Sequence, residues 1–274
     1  MKEKPVAVLD SGIGGLPYLA WLKDHLKDET LVYLADRKNF PYGEKTAQEV
    51  IRAVLEATRA LVERCDPKLL VVACNTASVV ALEPLRATFS FPIVGVVPAV
   101  KTAAGLTRSG RIGVLATRQT IEGPYLNDLI GRYCQGQTVI GFAAPDLVDI
   151  VEEDYLRPDP HRRAEVLKHW SDELSHSAVD TVVLACTHFL HVEDELKKVL
   201  PSGALLVDSR DGVGRRTRDV LESIGGLAER RSGPDRLYCT APKTATAGEM
   251  ADLERKYRYF AQKFALDFGG VWVL

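Results

Sequence analysis

Two of the five cysteines in this 274-residue chain stand where chemistry is done rather than where packing alone would put them. Cys74 closes the apolar run 69–73 and is followed by Asn75 and Thr76; Cys186 closes the run 181–185 and is followed by Thr187 and His188. A cysteine among apolar residues is ordinarily a small packing group, and that reading suffices for Cys65, on the inward face of a helical pattern, and for Cys134 and Cys239. At the two strand ends the chain turns abruptly polar, and each thiol is expected at a helix N-terminus, where backbone N–H groups and the helix dipole favour a thiolate. A free thiol titrates near about 8.5, so bringing it to about 7 needs only ~2 kcal/mol of preferential stabilisation.

The two cysteines are also related to one another. They lie 112 positions apart, VVACNTAS (71–78) aligns without gaps on VLACTHFL (183–190), and VAVLDS (6–11) aligns on IGVLAT (112–117). Two similar halves, each contributing one thiol to a common cleft, suit a reaction that needs a base on one face of a carbon and an acid on the other. Racemisation is such a reaction: a thiolate removes the proton from a stereocentre and the opposite thiol returns one. A cysteine hydrolase or acyltransferase, with His188 as base for Cys186, is the alternative, but it leaves Cys74 unexplained.

The elements that must position these groups follow from periodicity. Short apolar runs at 6–9, 31–35, 69–73, 93–97, 112–115, 138–142, 181–185 and 205–207 read as buried strands. They alternate with helical patterns, of which 44–65 is the clearest, ending before Pro67. This order predicts an α/β fold of two pseudo-symmetric parallel-sheet domains, flavodoxin- or Rossmann-like, facing one another across a cleft. Ligands of such sheets bind beyond the carboxyl ends of the strands.

Composition bounds the function classes. The chain is 46% hydrophobic and 26% charged, with 35 basic against 37 acidic residues, so it is an ordinary globular protein with no field to gather nucleic acid or an anionic membrane. No apolar stretch approaches the ~18 residues of a membrane span, and MKEKPVAVLD reaches Asp10 before a signal core forms. A cytoplasmic location is expected, with the cysteines as thiols. His188 and His191 lack a third partner at zinc spacing, so no metal is expected; His25, His161, His169 and His176 fall on polar helical faces and carry no signal.

Two loops complete the inventory. In DSGIGGL (10–16), Gly12, Gly14 and Gly15 allow positive φ and close backbone approach, but Pro17 stands where a dinucleotide fingerprint needs glycine, and GxxxxGK[ST] is absent. Ser11 and the loop amides could bind a carboxylate, and Asp10, a poor packing residue at a strand end, reads as a polar group near Cys74. NFPYG (39–43) is a turn rich in hydrogen-bonding groups, readable as structural or as a ligand contact.

Taken together and in order, DSGIGGL (10–16), NFPYGEK (39–45), ACNTAS (73–78), GVVPAVK (95–101), GVLATR (113–118), ACTHF (185–189) and VDS (207–209) resemble the glutamate racemases, within the aspartate/glutamate racemase superfamily. The resemblance runs over roughly positions 5 to 224. It implies a cofactor-independent isomerase of L- and D-glutamate serving peptidoglycan synthesis, and so cell-wall biogenesis and cell shape, with a homodimer as the expected assembly. It implies two α/β domains, 1–97 with 208–274 and an inserted 98–207. Residue by residue, Cys74 looks like the base for D-glutamate and Cys186 the base for L-glutamate, assisted by Asp10 and His188 respectively. Ser11, Pro41, Tyr42, Gly43, Asn75, Thr76 and Thr187 resemble substrate-holding residues, as do Asp10 and His188, with Thr117 in a loop of the same cleft. Glu152 resembles a carboxylate close to the second thiol, although its surroundings, APDLVDIVEE, depart from the usual pattern. Leu190 stands where proline is common and Arg210 where glycine is common. An aspartate or hydantoin racemase also has two cysteines, but the ACNTAS and NFPYG wording favours glutamate. Against a catalytically silent binding relative stands the presence of both thiols with Asp10 and His188. The segment after about 224 carries little of the resemblance, and DFGGVWVL reads as a closing strand or packing segment.

Overall fold

The computed structural model describes residues 2–153, 155, 158–201 and 203–274. The chain divides into two compact units, Met1–Val96 with Arg210–Leu274, and Val97–Ser209. Each is an α/β unit around one parallel sheet.

The first unit opens with β1 (Val6–Asp10), α1 (Leu16–His25), β2 (Leu31–Ala35), α2 (Ala47–Cys65), β3 (Leu69–Val72), α3 (Asn75–Thr88) and β4 (Ile93–Gly95). The strands β1, β2 and β3 are buried at every position, as strands covered by helices on both faces must be. Helix α2 begins at 47 rather than 44 because Thr46 caps it. The Thr46 hydroxyl accepts from Glu49 N, and the Glu49 carboxylate accepts from Thr46 N at 2.9 Å. Residues 42–44 form a separate 3₁₀ turn. The helix lays Val50, Val54, Ala57 and Leu61 into the core and ends where Asp66 adopts φ 43°, just before Pro67. Cys65, at its last position, is half-buried at the edge of that core rather than inside it.

The second unit runs through α4 (Val100–Leu106), β5 (Arg111–Ala116), α5 (Arg118–Glu122), α6 (Pro124–Tyr133), β6 (Thr138–Ala143), α7 (Pro145–Glu153), α8 (Pro160–His176), β7 (Thr181–Leu184), a 3₁₀ turn over Thr187–Val192, α9 (Glu193–Val199) and β8 (Leu205–Val207). The chain then returns to the first unit with α10 (Arg210–Ser223), β9 (Arg236–Ala241), α11 (Ala247–Lys263) and β10 (Asp267–Val273).

The internal repeat is a repeat of topology. The second unit's sheet has the order β6-β5-β7-β8, and the first contains the same order as β2-β1-β3-β4, with every pairing parallel. The first unit extends this core by β9 on β2 and β10 on β9, with α11 as their crossover. The C-terminal DFGGVWVL is thus the outer strand of the six-stranded sheet, with Trp272 buried. Among the described residues no helix is long and apolar enough to cross a membrane.

Candidate active site

In the first unit the carboxyl ends of β1, β2 and β3 converge. β1 ends in the fully buried Asp10, whose Oδ1 accepts from Gly12 N at 2.7 Å. From β2, the Tyr33 hydroxyl donates to Gly12 O (2.9 Å) and accepts from Gly15 N (3.1 Å), stapling the glycine loop from beneath. Gly15 is required by proximity: a Cβ there would lie 2.8 Å from Ala73 Cβ and 2.9 Å from Ala73 O. It has φ −78°, and the positive-φ glycines among the described residues all lie elsewhere, so Gly12, Gly14 and Gly15 do not use the left-handed freedom expected of them.

Cys74 is buried one residue past Ala73, whose N–H donates to Leu9 O at 2.7 Å, and it immediately precedes α3. Ser78 locks the start of that helix: its Oγ donates to Val72 O and accepts from Val96 N, both at 3.0 Å. Asn75, in the first turn of α3, is only 3% exposed, yet neither Oδ1 nor Nδ2 has a protein hydrogen-bond partner. Buried amides are ordinarily satisfied, so a donor and an acceptor stand ready beside Cys74. Ser11 and Thr76 are buried at the same strand ends.

The NFPYG turn is anchored by a residue outside it. Asp36, directly after β2 and fully buried, accepts from the Tyr42 hydroxyl (2.6 Å) and Asn39 Nδ2 (2.9 Å) on one oxygen, and from the Thr240 hydroxyl (2.7 Å) on the other. Burial pushes its carboxyl above the ordinary range, opposed by these same hydrogen bonds. Burial, then the Asp36 carboxylate, push the Tyr42 phenol well above its usual value, with smaller contributions from Cys74 and Asp10. Pro41 and Gly43, flanking the buried Tyr42, are half-buried.

In the second unit Cys186 is buried just past Ala185, whose N–H donates to Leu115 O at 2.8 Å. The chain after it, from Thr187, winds into a 3₁₀ turn rather than the expected α-helix. The sulfur is flanked instead by an imidazole: Sγ lies 3.9 Å from His188 Nδ1, and His188 Nε2 lies 2.8 Å from Glu152 Oε1 at the end of α7. His188 and Glu152 are each 4% exposed. Burial alone would lower the imidazole's pKa, but hydrogen bonds and charge from Cys186 and Glu152 outweigh it and push His188 up to about 10. The ring is therefore an imidazolium near neutrality, with one N–H for the carboxylate and one on the side of the sulfur. Thr187 is buried beside them, and Thr117 caps α5, accepting from Thr120 N.

Asp10, Ser11, Pro41, Tyr42, Gly43, Cys74, Asn75 and Thr76 thus lie in the first unit, and Thr117, Glu152, Cys186, Thr187 and His188 in the second. Sequence reasoning passed over Tyr33, Asp36 and Thr240. Asp36 carries the same signal as Asp10, an aspartate closing an apolar strand; Tyr33 and Thr240 carry none, because what they bind is distant along the chain.

Each of the two α/β units is built on a parallel sheet and carries a buried thiol just beyond an inner strand, with polar side chains around it, which places the chain among two-unit α/β proteins with one thiol in each unit. The chain belongs to the Asp/Glu/Hydantoin racemase family, whose model matches residues 18–211. It is 41% identical over 244 residues to the glutamate racemase of Pectobacterium carotovorum, covering 88% of this chain and 85% of that one. It is 42% identical over 222 residues to that of Sphingopyxis alaskensis, covering 80% and 83%. Among solved structures it is similar to Escherichia coli glutamate racemase in complex with L-glutamate and the activator UDP-MurNAc-Ala, with a TM-score of 0.84 and 34% identity over 99% and 98% of the two chains. Glutamate racemase isoform RacE1 from Bacillus anthracis gives a TM-score of 0.83 at 27% identity, over 100% and 98%.

Proposed function

We propose that this chain interconverts L- and D-glutamate without a cofactor, using Cys74 and Cys186 as alternating base and acid. The observation that carries this reading is the equivalence of the two thiols, each placed just beyond the same central strand of a repeated topology. The names of relatives at about 40% identity over most of the chain support glutamate as the substrate.

Cys74, as thiolate, takes the α-proton of D-glutamate; the electron pair left on the α-carbon delocalises into the α-carboxylate, and Cys186 as thiol returns a proton to the opposite face. The reverse reaction exchanges the roles. His188, charged and hydrogen-bonded to Glu152, holds positive charge beside a sulfur that must alternate between S⁻ and SH. Asp10 serves Cys74 from the first unit. Asn75, with both amide atoms unmatched by protein, Ser11, Thr76, Thr187, Thr117 and the 41–43 turn hold the substrate's ammonium and carboxylates. The enzyme acts as a cytoplasmic homodimer and supplies D-glutamate for peptidoglycan.

A circular-dichroism assay with L-glutamate, D-glutamate and L-aspartate tests the substrate. Glutamate should racemise from either enantiomer and aspartate poorly, because a shorter side chain leaves buried donors unpaired. Aspartate turned over as fast as glutamate would assign the chain to the other branch of its family. Activity restored only by added metal or pyridoxal after dialysis would overturn the cofactor-free reading, growth of a D-glutamate auxotroph carrying this chain tests the cellular role, and sedimentation equilibrium tests the dimer.

A further inference from the structure

In the segment beyond the family match, residues 212–274, the Thr240 hydroxyl donates to Asp36, the carboxylate that in turn holds Asn39 and Tyr42 of the NFPYG turn. We propose that Thr240 is a positioning residue for substrate binding, acting through Asp36 on Tyr42. The inference rests on the proposed contact between residues 41–43 and substrate.

The geometry is specific. β9 pairs in parallel with β2 so that Cys239 lies opposite Ala35, the last residue of β2. Thr240 therefore falls level with Asp36, one step beyond the ladder. Its Oγ1 accepts from Lys38 N at 2.9 Å, which turns its own proton onto Asp36 Oδ1 at 2.7 Å. That bond leaves Oδ2 to the Tyr42 hydroxyl and to Asn39 Nδ2. The backbone adds two further ties, Asp36 N donating to Asp10 O at 2.8 Å and Asp36 O accepting from Asn39 N at 3.2 Å. A buried carboxylate restrained on both oxygens has one orientation, and the turn hung from it inherits that orientation. Without the Thr240 hydroxyl, Oδ1 loses its only side-chain donor among the described residues, Lys38 N loses its acceptor, and the carboxylate can rotate away from Tyr42. The two sides of this linkage lie 204 positions apart, so β9 contributes to the site while presenting no group to the substrate.

Thr240→Val keeps the side chain's shape and removes the hydroxyl; Thr240→Ser keeps the hydroxyl. The expected result for Thr240→Val is a KM for glutamate raised about tenfold in both directions with kcat within about threefold. Thr240→Ser should lie within about twofold of wild type on both constants. Tyr42→Phe should raise KM in the wild-type background and add little in the Thr240→Val background, since both break one linkage. If Thr240→Val does not fold, Thr240→Ala takes its place in the same cycle. A folded hydroxyl-free variant with unchanged KM, equal impairment of the Ser and Val variants, or fully multiplicative effects of Thr240→Val and Tyr42→Phe overturns the inference. Wild-type protein inactive on glutamate overturns the proposed function and this inference with it; active wild type with a KM indifferent to Thr240 overturns the inference alone.

Discussion

Cys74 and Cys186 take up nearly the same backbone conformation, φ −140°, ψ 120° and φ −138°, ψ 131°. Each follows an alanine whose N–H donates to the neighbouring central strand, Ala73 to Leu9 at 2.7 Å and Ala185 to Leu115 at 2.8 Å. One strand-end geometry has been used twice, and the surroundings then diverge: an α-helix and an unmatched asparagine beside the first thiol, an imidazolium and a carboxylate beside the second.

This relationship makes the thiols separable by experiment. Cys74→Ser and Cys186→Ser should each lose on the order of 10³-fold or more of racemisation in both directions, since a hydroxyl is too weakly acidic to serve as the base. Given a substrate with a β leaving group, elimination needs proton removal alone. Cys186→Ser should then process only the D form and Cys74→Ser only the L form, read by keto-acid release. If both variants consume the same enantiomer, the two-base assignment fails.

Glu152→Gln tests the imidazolium. His188 sits at about 10 in the folded protein against about 6.5 unfolded, so the folded state binds the extra proton. The stabilisation is complete below about pH 6.5 and is lost as pH rises through about 10. Urea unfolding free energies should fall across that window in wild type and fall less steeply in Glu152→Gln. The same variant should slow proton removal from L-glutamate more than from D-glutamate. Equal pH slopes in the two proteins would show that Glu152 does not hold the charge on His188.

Lys68 and Glu29 form a buried ion pair at 2.6 Å, with side chains 0% and 2% exposed. The ammonium also donates to Lys2 O and Gly226 O, both at 2.8 Å, and Glu29 accepts from Ala228 N. Breaking such a pair strands a charge, so Lys68→Met is expected to cost about 3–5 kcal/mol. Lys68→Met with Glu29→Gln should recover part of that loss in the denaturation midpoint.

Gly15→Ala places a methyl against the Ala73 backbone and side chain, where neither can retreat without moving the strand end that carries Cys74. A stability loss of about 1–3 kcal/mol is expected, with a fall in kcat larger than that of a comparable change at the open Gly105. A Gly15→Ala variant with wild-type kcat would show that the loop does not need this approach.

Local pattern alone disclosed strands β1 to β8, the helix ending at Cys65, the repeat and the two thiols, because runs of apolar residues and their polar ends are written in consecutive residues, whereas β9 gave no such signal and β10 read equally as a packing segment. Glu152 was placed by the family resemblance and carries no local signal of its own. What only the folded chain decided depends on pairings between distant positions: Glu152 against His188, 36 residues apart, Tyr33 beneath the glycine loop, and Thr240 level with Asp36, 204 residues apart. The helix start at Ala47 was decided by a reciprocal hydrogen bond, and the 3₁₀ turn after Cys186 replaced the helix its polarity suggested. Hydrophobic period tells which face of an element is buried; which side chain from another strand meets it there is set by sheet order and register, and neither leaves a trace in neighbouring residues.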